Sequence, residues 1–465
     1  MSAHPDHHYL LSYYGDDFTG STDVMESLTV NGVPAALFLE PPTSEELAHF
    51  VLKNKWAADG GGRLRAFGVA GVSRSMSPAQ MEEELPPIFE RISRIPTGYF
   101  HYKTCSTFDS SPQIGSIGRA VDIAFRYFPS AWIPLLVAAP SLNRFCIFGN
   151  LFARVQGVTY RLDRHPTMSV HPVTPMHESD LRLHLAGQTE RTSLLMDLFD
   201  MELEDEDLEH RFAAMQRENG AYVLFDILNT AHLSRAGRLM ARFKSPGTHL
   251  LVGSSGIEYA LCGWLSSEGE LHSPAVPHSA GSAGPIAVMS GSASPVTKAQ
   301  IEYAADRGFG LVGLDTAALV REGESGAAFA GALEEAKTIL GRDQSALLHA
   351  ALGPRDVRIA ETTAVLKETG APPGRLAAIQ GRLLRVLLLE TGLRRAVVVG
   401  GDTSGYVSRA LGIYALEIRI PVAPGAPLCT AHSRETAFDG MDISLKGGQN
   451  GTEKYFEQIR NGEIH

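Results

Sequence analysis

The stretch YLLSYYGDDFTGSTD (residues 9–23) joins a short apolar segment to two adjacent carboxylates and a run of small polar residues. An apolar run of this length without strict alternation is typical of a β-strand buried on both faces. Two neighbouring acids at the mouth of such a strand repel each other and are costly to bury unpaired. Asp16 and Asp17 therefore raise the question of which chemistry requires them there.

Continuous apolar segments of this kind recur along the whole chain. Helical patterns lie between several of them, such as SPAQMEEELPPIFERIS (77–93) and GRLAAIQGRLLRVLLLETG (374–392). Alternation of short strands with helices predicts parallel, doubly wound α/β sheets. The predicted strands are 9–14, 35–40, 64–71, 98–104, 133–139, 222–228 and 249–253, followed by 286–291, 310–316, 345–351 and 394–401.

The chain is long enough for more than one hydrophobic core. It has 465 residues, of which 44% are apolar, as in an ordinary soluble globular protein. The stretch SEGELHSPAVPHSAGSAGP (267–285) is rich in Ser, Pro, Gly and Ala, has no periodicity, and is typical of a linker. We expect two α/β domains with largely parallel sheets, at 1–270 and 286–465, a linker at 271–285, and an active site in the interdomain cleft.

Composition excludes several classes of function. The net charge is −11 and no run is dense in Lys and Arg, so a nucleic-acid partner is not expected. Four scattered cysteines form no CxxC pair, which indicates neither a zinc site nor a disulfide framework. No stretch of about 18 apolar residues suits a membrane span, and no signal peptide is recognisable. A cytoplasmic protein with no membrane partner is expected.

A strand, a Gly-Gly turn and a helix follow one another in AVVVGGDTSGYVSRALGI (396–413). Gly400 and Gly401 let backbone N–H groups approach a ligand closely, and a helix N-terminus attracts anions. One of the polar residues at 402–404 is expected to cap the helix. The pattern has the form of a phosphate cradle, although an ordinary strand-to-helix turn uses the same residues.

Two further loops of small residues favour the cradle. AVMSGSASPVTKAQIEYAADRG (287–308) places Ser294 as a helix cap before Pro295, after a loop that begins at Ser290. DISLKGGQNG (442–451) adds a third loop, with Lys446 beside two glycines. Three such loops in one α/β domain indicate a nucleotide rather than a single phosphate. No GxxxxGK[ST] or GxGxxG motif accompanies them.

A different set of polar residues follows the strands of the first half. Arg74 lies between serines in GVSRSMSP (71–78), and Lys103 opens the polar run KTCST (103–107). Because ligands of open parallel sheets bind at the carboxyl ends of strands, these residues and the Asp pair predict a polar pocket of mixed charge. Such a pocket suits a small polyhydroxy carboxylate. A helix cap or a surface ion pair is the alternative for each residue taken alone, Arg74 above all.

These residues carry a family resemblance. The sequence resembles the four-carbon acid sugar kinase family, ATP-dependent enzymes that act on sugar acids such as threonate, erythronate and 3-oxo-tetronates. Six motifs of that family occur in its order over nearly the whole chain. They are GDDFTGSTD (15–23), SRS (73–75), SGSASPVTKAQ (290–300), GGDTSG (400–405), EIRIPVAPGAP (417–427) and LKGGQNG (445–451).

One segment departs from the family. The family usually reads K..DSTLRGN where this chain has KTCSTFDSSPQIGS (103–116). Cys105 replaces the usual Asp, the usual Arg is lost, and a carboxylate, Asp109, appears nearby. The departure bears on the substrate more than on the reaction. A branched or oxidised sugar acid, such as 3-oxo-isoapionate, is therefore favoured at least as much as plain threonate.

The resemblance implies the role of each site residue. Phosphoryl transfer needs an in-line alcohol, a carboxylate beside it and cations for the phosphate charge. We expect Asp17 to contact the acceptor hydroxyl and Asp16 to hold its geometry or the metal. Arg74 and Lys103 would bind the substrate carboxylate, beside Thr104, Cys105 and Ser106. The predicted nucleotide-binding residues are Ser290, Ser292, Gly400, Gly401, Asp402, Thr403 and Gly448.

ATP and Mg²⁺ are the implied cofactors, and the sequence does not identify the protein ligands of the metal. Closure of the two domains would exclude water during transfer. A homodimer remains an open assembly state. Two alternatives also stay open: a non-catalytic sensor of nucleotide and sugar acid, and an aspartyl-nucleophile phosphatase. The phosphatase is the weaker alternative, because its second acid would be expected at position 18, which is Phe.

Overall fold

The computed structural model describes residues 9–57, 63–155, 157–171, 173–215, 219–272 and 274–464. The chain packs as two compact units. The first comprises Met1–Leu52 and Ala57–Pro274, and the second comprises Lys53–Trp56 and Ala275–His465. Both units contain strands that alternate with helices, so the prediction of two α/β domains with largely parallel sheets is confirmed.

The first unit contains eleven strands and eight α-helices in its described residues. The strands are β1 Tyr9–Gly15, β2 Ala35–Phe38, β3 Ala66–Ala70, β4 Thr97–Lys103, β5 Trp132–Leu136, β6 Arg144–Ile147, β7 Asn150–Val155, β8 Val158–Arg161, β9 Ser193–Met196, β10 Ala221–Phe225 and β11 His249–Gly253. The helices are α1 Phe18–Val30, α2 Ser44–His49, α3 Pro78–Ser93, α4 Ile117–Phe125, α5 Leu181–Ala186, α6 Asp205–Met215, α7 Thr230–Arg242 and α8 Gly256–Ser267.

The second unit contains seven strands and seven α-helices in its described residues. The strands are β12 Ala287–Ser290, β13 Phe309–Gly313, β14 Ser345–His349, β15 Arg395–Val399, β16 Ile413–Ala423, β17 Ala426–Ser433 and β18 Asp442–Lys446. The helices are α9 Pro295–Ala305, α10 Thr316–Glu322, α11 Ala327–Leu340, α12 Val357–Thr369, α13 Arg375–Thr391, α14 Gly401–Ala410 and α15 Tyr455–Asn461.

Parallel pairing dominates both units. In the first unit the strand order is β2-β3-β1-β4-β11-β5-β10-β9, and every neighbouring pair in that order is parallel. In the second unit β13-β14-β12-β15-β18 is parallel, and β17 and β16 continue it in antiparallel pairing. Parallel strands present their carboxyl ends at one edge, where the following loops gather.

The predicted strands all correspond to observed strands, but the sequence pattern missed others. The three-stranded antiparallel sheet of β6, β7 and β8 was not predicted, nor were β9 and the antiparallel pair of β16 and β17. The missed strands are short or interrupted by polar residues: β9 has four residues, and Glu417 and Arg419 interrupt β16, so neither gives the long apolar run that marks a doubly buried strand. Strand β18 was not predicted either. The helices predicted at 77–93 and 374–392 are confirmed as α3 and α13.

Aromatic packing holds the helices of the first unit against its sheet. Phe89 on α3 meets Phe100 on β4 at a ring-centroid distance of 5.4 Å, and Phe100 stacks on Phe128 at 4.0 Å. All three side chains are fully or almost fully buried, and each such burial contributes about 1.5–3 kcal/mol. This packing fixes the strand ends that carry the polar loops. No helix within the described ranges is long and apolar enough to cross a membrane.

Candidate active site

Polar loops of the first unit meet where four parallel strands end. The register aligns Gly15 at the end of β1 with Ala70 on one side and Lys103 on the other, and Lys103 with Gly253. The amide of Asp16 donates to the carbonyl of Lys103 at 2.9 Å. The predicted acids and Lys103 are therefore brought together by the sheet itself.

Arg74 links the two acids. It lies in a single 3-10 turn, Ser73–Ser75, and its amide donates to the carbonyl of Asp16 at 3.0 Å. Its Nη2 and Nε donate to the two carboxylate oxygens of Asp16 at 2.7 and 3.2 Å, and its Nη1 donates to Oδ2 of Asp17 at 2.6 Å. Three of the five guanidinium N–H groups are thus directed at the acid pair.

The two acids differ in their access to solvent. The side chain of Asp16 is 2% exposed and that of Asp17 is 29% exposed. Burial raises the pKa of Asp16, Arg74 opposes that rise, and Asp17 adds to it. Burial alone would lower the pKa of Arg74, but Asp16 and its neighbours hold that pKa well above the ordinary value. The carboxylate of Asp16 is therefore engaged in binding Arg74, whereas that of Asp17 is accessible to a ligand.

Asp17 also begins helix α1. Its Oδ1 accepts from the amide of Gly20 at 2.7 Å, which is an N-cap bond. A Cβ placed on Gly20 would lie 2.6 Å from that oxygen and 3.1 Å from Nζ of Lys103. Glycine at this position lets Asp17 and Lys103 face the same small space.

Lys103 is buried beside a third carboxylate. It is 2% exposed, its Nζ donates to the carbonyl of Thr104 at 2.9 Å, and Oδ2 of Asp23 lies 3.7 Å away. Burial raises the pKa of Asp23, and Lys103 opposes that rise. Asp23 was not among the predicted site residues, although it follows Asp17, the N-cap of α1, by six residues and belongs to the same motif.

The altered segment follows Lys103 directly. Thr104 is buried, while Cys105 and Ser106 are partly exposed. The sulfur of Cys105 lies 3.0 Å from Oγ1 of Thr107. Burial, with Asp109 adding to it, raises the pKa of Cys105 to about 11, so the thiol stays protonated near neutral pH. All the predicted substrate-binding residues thus lie at one carboxyl edge of the first unit.

A corresponding edge exists in the second unit. The register places Ser290 of β12 beside Val399 of β15, and Val399 beside Lys446 of β18. His349 at the end of β14 pairs with Ser290 on the other side. The three predicted small-residue loops start from three adjacent strand ends.

Hydrogen bonds hold two of these loops together. Both Ser294 Oγ and Thr297 Oγ1 donate to the carbonyl of Gly448, the latter at 2.9 Å, and Thr297 Oγ1 also donates to Ser292 Oγ at 3.0 Å. A Cβ on Gly448 would lie 2.3 Å from Ser292 Oγ. The predicted cap is confirmed, since Ser294 accepts from the amide of Thr297 and Pro295 opens α9. The first and third loops therefore pack directly against each other.

The Gly-Gly loop lies against the first loop. A Cβ on Gly291 would lie 2.0 Å from Thr403 Oγ1, so the two loops are in direct contact. The prediction that residue 402, 403 or 404 caps the helix was wrong. The N-cap is Gly400, with no side-chain cap bond, and Ser404 instead donates back to the carbonyl of Gly400 at 2.8 Å. Asp402 and Gly401 are exposed. The first amides of α14 therefore remain available to an anion.

Lys446 is the residue whose environment the sequence did not reveal. It is 1% exposed, its Nζ donates to the carbonyl of Gly447 at 3.0 Å, and it lies 5.4 Å from the ring centre of Tyr455. No carboxylate pairs with it in the described part of the chain. Burial lowers the pKa of Lys446 to about 7. A buried ammonium without a counter-charge is costly, and an anionic ligand would compensate it.

Neither edge carries a ready-made metal cage. Among the described residues, no group of three or more His, Cys, Asp or Glu side chains is arranged to hold a metal ion. Mg²⁺ in phosphoryl-transfer sites is commonly bound through one or two carboxylates and the phosphates themselves, so this donor set does not conflict with it. Asp402, exposed in the first turn of α14, is a carboxylate of that kind.

Comparison with known proteins matches two different family models to the two parts of the chain. Residues 11–261 match a family model described as a sugar-binding N-terminal domain, and residues 287–456 match one described as a nucleotide-binding C-terminal domain. Among characterised relatives, the chain is 44% identical to the 3-oxo-isoapionate kinase of Paraburkholderia graminis, covering 98% of this chain and 95% of that protein. It is 26% identical to the 3-oxo-tetronate kinase of Pectobacterium atrosepticum, covering 97% and 98%.

Solved structures share the fold. A Salmonella typhimurium protein described as a putative tRNA synthase superposes with a TM-score of 0.75 at 22% identity, covering 98% of this chain and 100% of that one. Haemophilus influenzae protein HI1011 superposes with a TM-score of 0.70 at 22% identity, covering 97% and 99%. At this identity the likeness establishes the architecture and leaves the chemistry to the strand-end loops.

Proposed function

This chain belongs to the four-carbon acid sugar kinase family and is an ATP-dependent sugar-acid kinase, and we propose that its acceptor is a branched 3-oxo sugar acid of the 3-oxo-isoapionate type. The observation that carries the proposal is the 44% identity over 98% of the chain to a protein of that name, against 26% for a 3-oxo-tetronate kinase. The altered segment after Lys103 lies in the same pocket and supports a substrate other than plain threonate.

Asp17 is the proposed base. It is the more exposed acid of the pair, and Arg74 and the Gly20 amide fix both of its oxygens. As the acceptor oxygen forms its bond to the γ-phosphorus, the bond from that phosphorus to the bridging oxygen of ATP breaks, and the hydroxyl proton passes to Asp17. Asp16 positions Arg74 through its two short bonds.

The anionic end of the substrate would meet the cations of the same pocket. The two remaining N–H groups of Arg74 and the ammonium of Lys103 are the proposed donors to the carboxylate. Thr104, Cys105 and Ser106 would line the wall beside them. Asp23 keeps Lys103 in place at 3.7 Å.

ATP would occupy the second unit. The open space at Gly401 leaves room for phosphates, Gly400 and Gly448 belong to the loops that would surround them, and the adjacent hydroxyls and carboxylate supply polar contacts. These further residues are Ser290, Ser292, Asp402 and Thr403. We assign Lys446 to the phosphates as well, because it is a buried ammonium at the end of β18, directly before the third loop. Mg²⁺, held through Asp402 and the phosphates, would neutralise phosphate charge when bound.

The domain and compartment proposals follow from the same observations. We propose that the sugar-acid domain spans 1–270, the linker 271–285 and the nucleotide domain 286–465, since the two family models match 11–261 and 287–456. All four cysteines are free thiols, which supports a reducing, cytoplasmic location. A homodimer stays a proposal for which the solution mass is the test.

A coupled ADP-release assay tests the function. Mg-ATP is offered with four- and five-carbon sugar acids that include unbranched, 3-oxo and branched 3-oxo members. Release of ADP fastest with the branched 3-oxo acid is the expected result. Silence across the panel with intact ATP binding would favour the sensor alternative. Phosphate release from phosphorylated acids without nucleotide would favour the phosphatase.

A further inference from the structure

Two buried side-chain atoms beside the candidate active site lack a hydrogen-bond partner among the described residues. Among the described residues, Oδ1 of Asp109 and Nε of Arg144 are buried polar atoms without a partner. Leaving a buried donor or acceptor unsatisfied costs about 1–3 kcal/mol, and more for charged groups. Both residues are only partly buried as a whole, so each keeps some solvent-accessible surface beside its unpaired atom.

The pair is electrostatically continuous with the site around Asp17. Besides burial, the charges of Asp109 and Asp17 raise the pKa of Cys105 and the charge of Arg74 lowers it. Arg144 is in turn influenced by Cys105 and Asp109, which oppose the lowering of its pKa by burial. The guanidinium of Arg144 is anchored through Nη1, which donates to the carbonyl of Leu142 at 3.0 Å.

The backbone holds both residues in unusual positions. Asp109 follows Phe108, which is fully buried at φ +55°, and Arg144 follows Asn143 at φ +58°. Only four non-glycine residues of the described chain have positive φ, and two of them directly precede this pair. A positive φ is a genuine outlier for a bulky residue such as Phe, and strain of this kind persists where the surroundings fix it, often at functional sites.

Local packing fixes the strained turn around Asp109. The ring of Phe108 meets His184 edge to face at 5.8 Å, and Ser110 lies 2.9 Å from Nε2 of His184. Gln188 donates to the same Ser110 hydroxyl at 2.9 Å. Phe108 and Ser110, the sequence neighbours of Asp109, are therefore both held by contacts, whereas Oδ1 of Asp109 has no partner among the described residues.

We propose that Asp109 and Arg144 determine specificity for a branched sugar acid: Oδ1 of Asp109 accepts a hydrogen bond from the hydroxyl of the branch, and Nε of Arg144 donates to a neighbouring oxygen of the same substrate. A polyhydroxy acid supplies both the donor and the acceptor that the pair lacks. An unbranched acid without the extra hydroxyl would leave Asp109 unpaired, and such a site discriminates strongly against the analogue that lacks the group. This inference rests on the proposed function.

The test compares two substrates on matched variants. Asp109→Ala removes the acceptor oxygen, and Arg144→Gln removes the guanidinium. Arg154→Gln is the control, because Arg154 is an exposed arginine on the neighbouring strand that donates to Thr159. kcat/KM is measured for a branched and an unbranched 3-oxo acid, and thermal unfolding confirms that each variant is folded.

Both pair variants are expected to lose about 10- to 100-fold in kcat/KM on the branched acid and to stay within about twofold on the unbranched acid. The control should match the wild type on both. An equal loss on the two acids would make the pair structural and overturn the inference. So would an unchanged ratio, or a wild type that does not prefer the branched acid.

A substrate-side measurement keeps the inference testable if a variant is unstable. The wild type is assayed with a deoxy analogue of the branched acid that lacks the branch hydroxyl. It should lose as much as Asp109→Ala loses on the full substrate, and Asp109→Ala should lose nothing more on the analogue. Additive losses would overturn the contact. If the wild type phosphorylates no acid, the proposed function fails, and calorimetric affinities for the same two acids still decide the role of the pair.

Discussion

The charged groups of the two candidate edges are arranged in opposite ways. In the first unit Arg74 is held by Asp16 and Asp17, and Lys103 lies beside Asp23. In the second unit Lys446 is buried with a carbonyl and an aromatic ring as its neighbours. The first edge is balanced before any ligand arrives, whereas the second is completed electrostatically by an anion.

This difference matches the ligands proposed for the two edges. The reacting hydroxyl of a sugar acid is neutral, so it needs a preorganised acceptor, which Asp17 in its helix cap provides, while Arg74 and Lys103 are the proposed partners of the substrate carboxylate. A triphosphate carries several negative charges, so backbone N–H groups and an uncompensated ammonium are the suitable partners. Substitutions at either edge test this contrast.

The largest effect is expected from Asp17→Asn. Asn is as good an N-cap as Asp, so helix α1 should persist, but the amide cannot take the hydroxyl proton. kcat should fall by roughly 10³-fold, within the range for loss of a general base. ATP affinity, measured by calorimetry, should change less than twofold. Asp163→Asn, in an exposed ion pair with Arg161, is the control. Near-normal turnover in Asp17→Asn would remove Asp17 from the mechanism.

The second-largest effect is expected from removing the unpaired charge at the edge of the second unit. Lys446→Met keeps the aliphatic stem and removes the ammonium. ATP affinity should fall by about 10- to 100-fold, because a charge-assisted contact to phosphate contributes about 1.5–3 kcal/mol. The melting temperature should rise, since an uncompensated buried charge is removed. Lys454→Met, in the loop just before α15, is the matched control. A variant with lower stability and unchanged ATP affinity would show that Lys446 serves the fold instead.

A smaller effect is expected from pH. The pKa of Lys446 is about 7 in the free protein, well below its ordinary value, because burial disfavours the charged form. Bound phosphate would favour the ammonium and raise that pKa, so ATP binding above pH 7 takes up a proton. Affinity should then weaken by up to about tenfold per pH unit above 7. Titrations in two buffers of different ionisation enthalpy measure the uptake, and Lys446→Met should abolish it. A pH-independent affinity in the wild type would contradict this linkage.

The same lysine shows where sequence reasoning stops. The edges themselves were predictable, because doubly buried strands leave long apolar runs and parallel strands gather the following loops. Arg74 binds the two acids, whereas no carboxylate among the described residues pairs with Lys446. Both facts depend on which side chains other segments of the chain bring near. Asp109 and Arg144 are 35 residues apart in sequence, and no periodicity couples them. The uncapped start of α14 was missed for a related reason: the helix begins at Gly401, and the hydroxyl of Ser404 donates back to the carbonyl of Gly400.

The smallest effect concerns the backbone of the second edge. A Cβ added to Gly401 would meet nothing within 4 Å, so Gly401→Ala fits the free protein. At the start of α14, alanine should leave the free energy of unfolding unchanged or raise it by up to about 1 kcal/mol. The melting temperature should then be unchanged or slightly higher. The same space is where phosphate would approach the first amides of the helix, so ATP affinity should fall several-fold.

Gly331→Ala is the matched control for this prediction, because Gly331 lies in α11 and its added Cβ also meets nothing within 4 Å. Both variants should unfold at or above the wild-type temperature, and only Gly401→Ala should weaken ATP binding in calorimetry. Unchanged affinity in Gly401→Ala would place the phosphates away from α14 and leave Lys446 and the loop at Ser290 to bind them. Sugar-acid affinity should be the same in both variants, because Gly401 lies at the edge of the second unit, which is the edge proposed to bind the nucleotide.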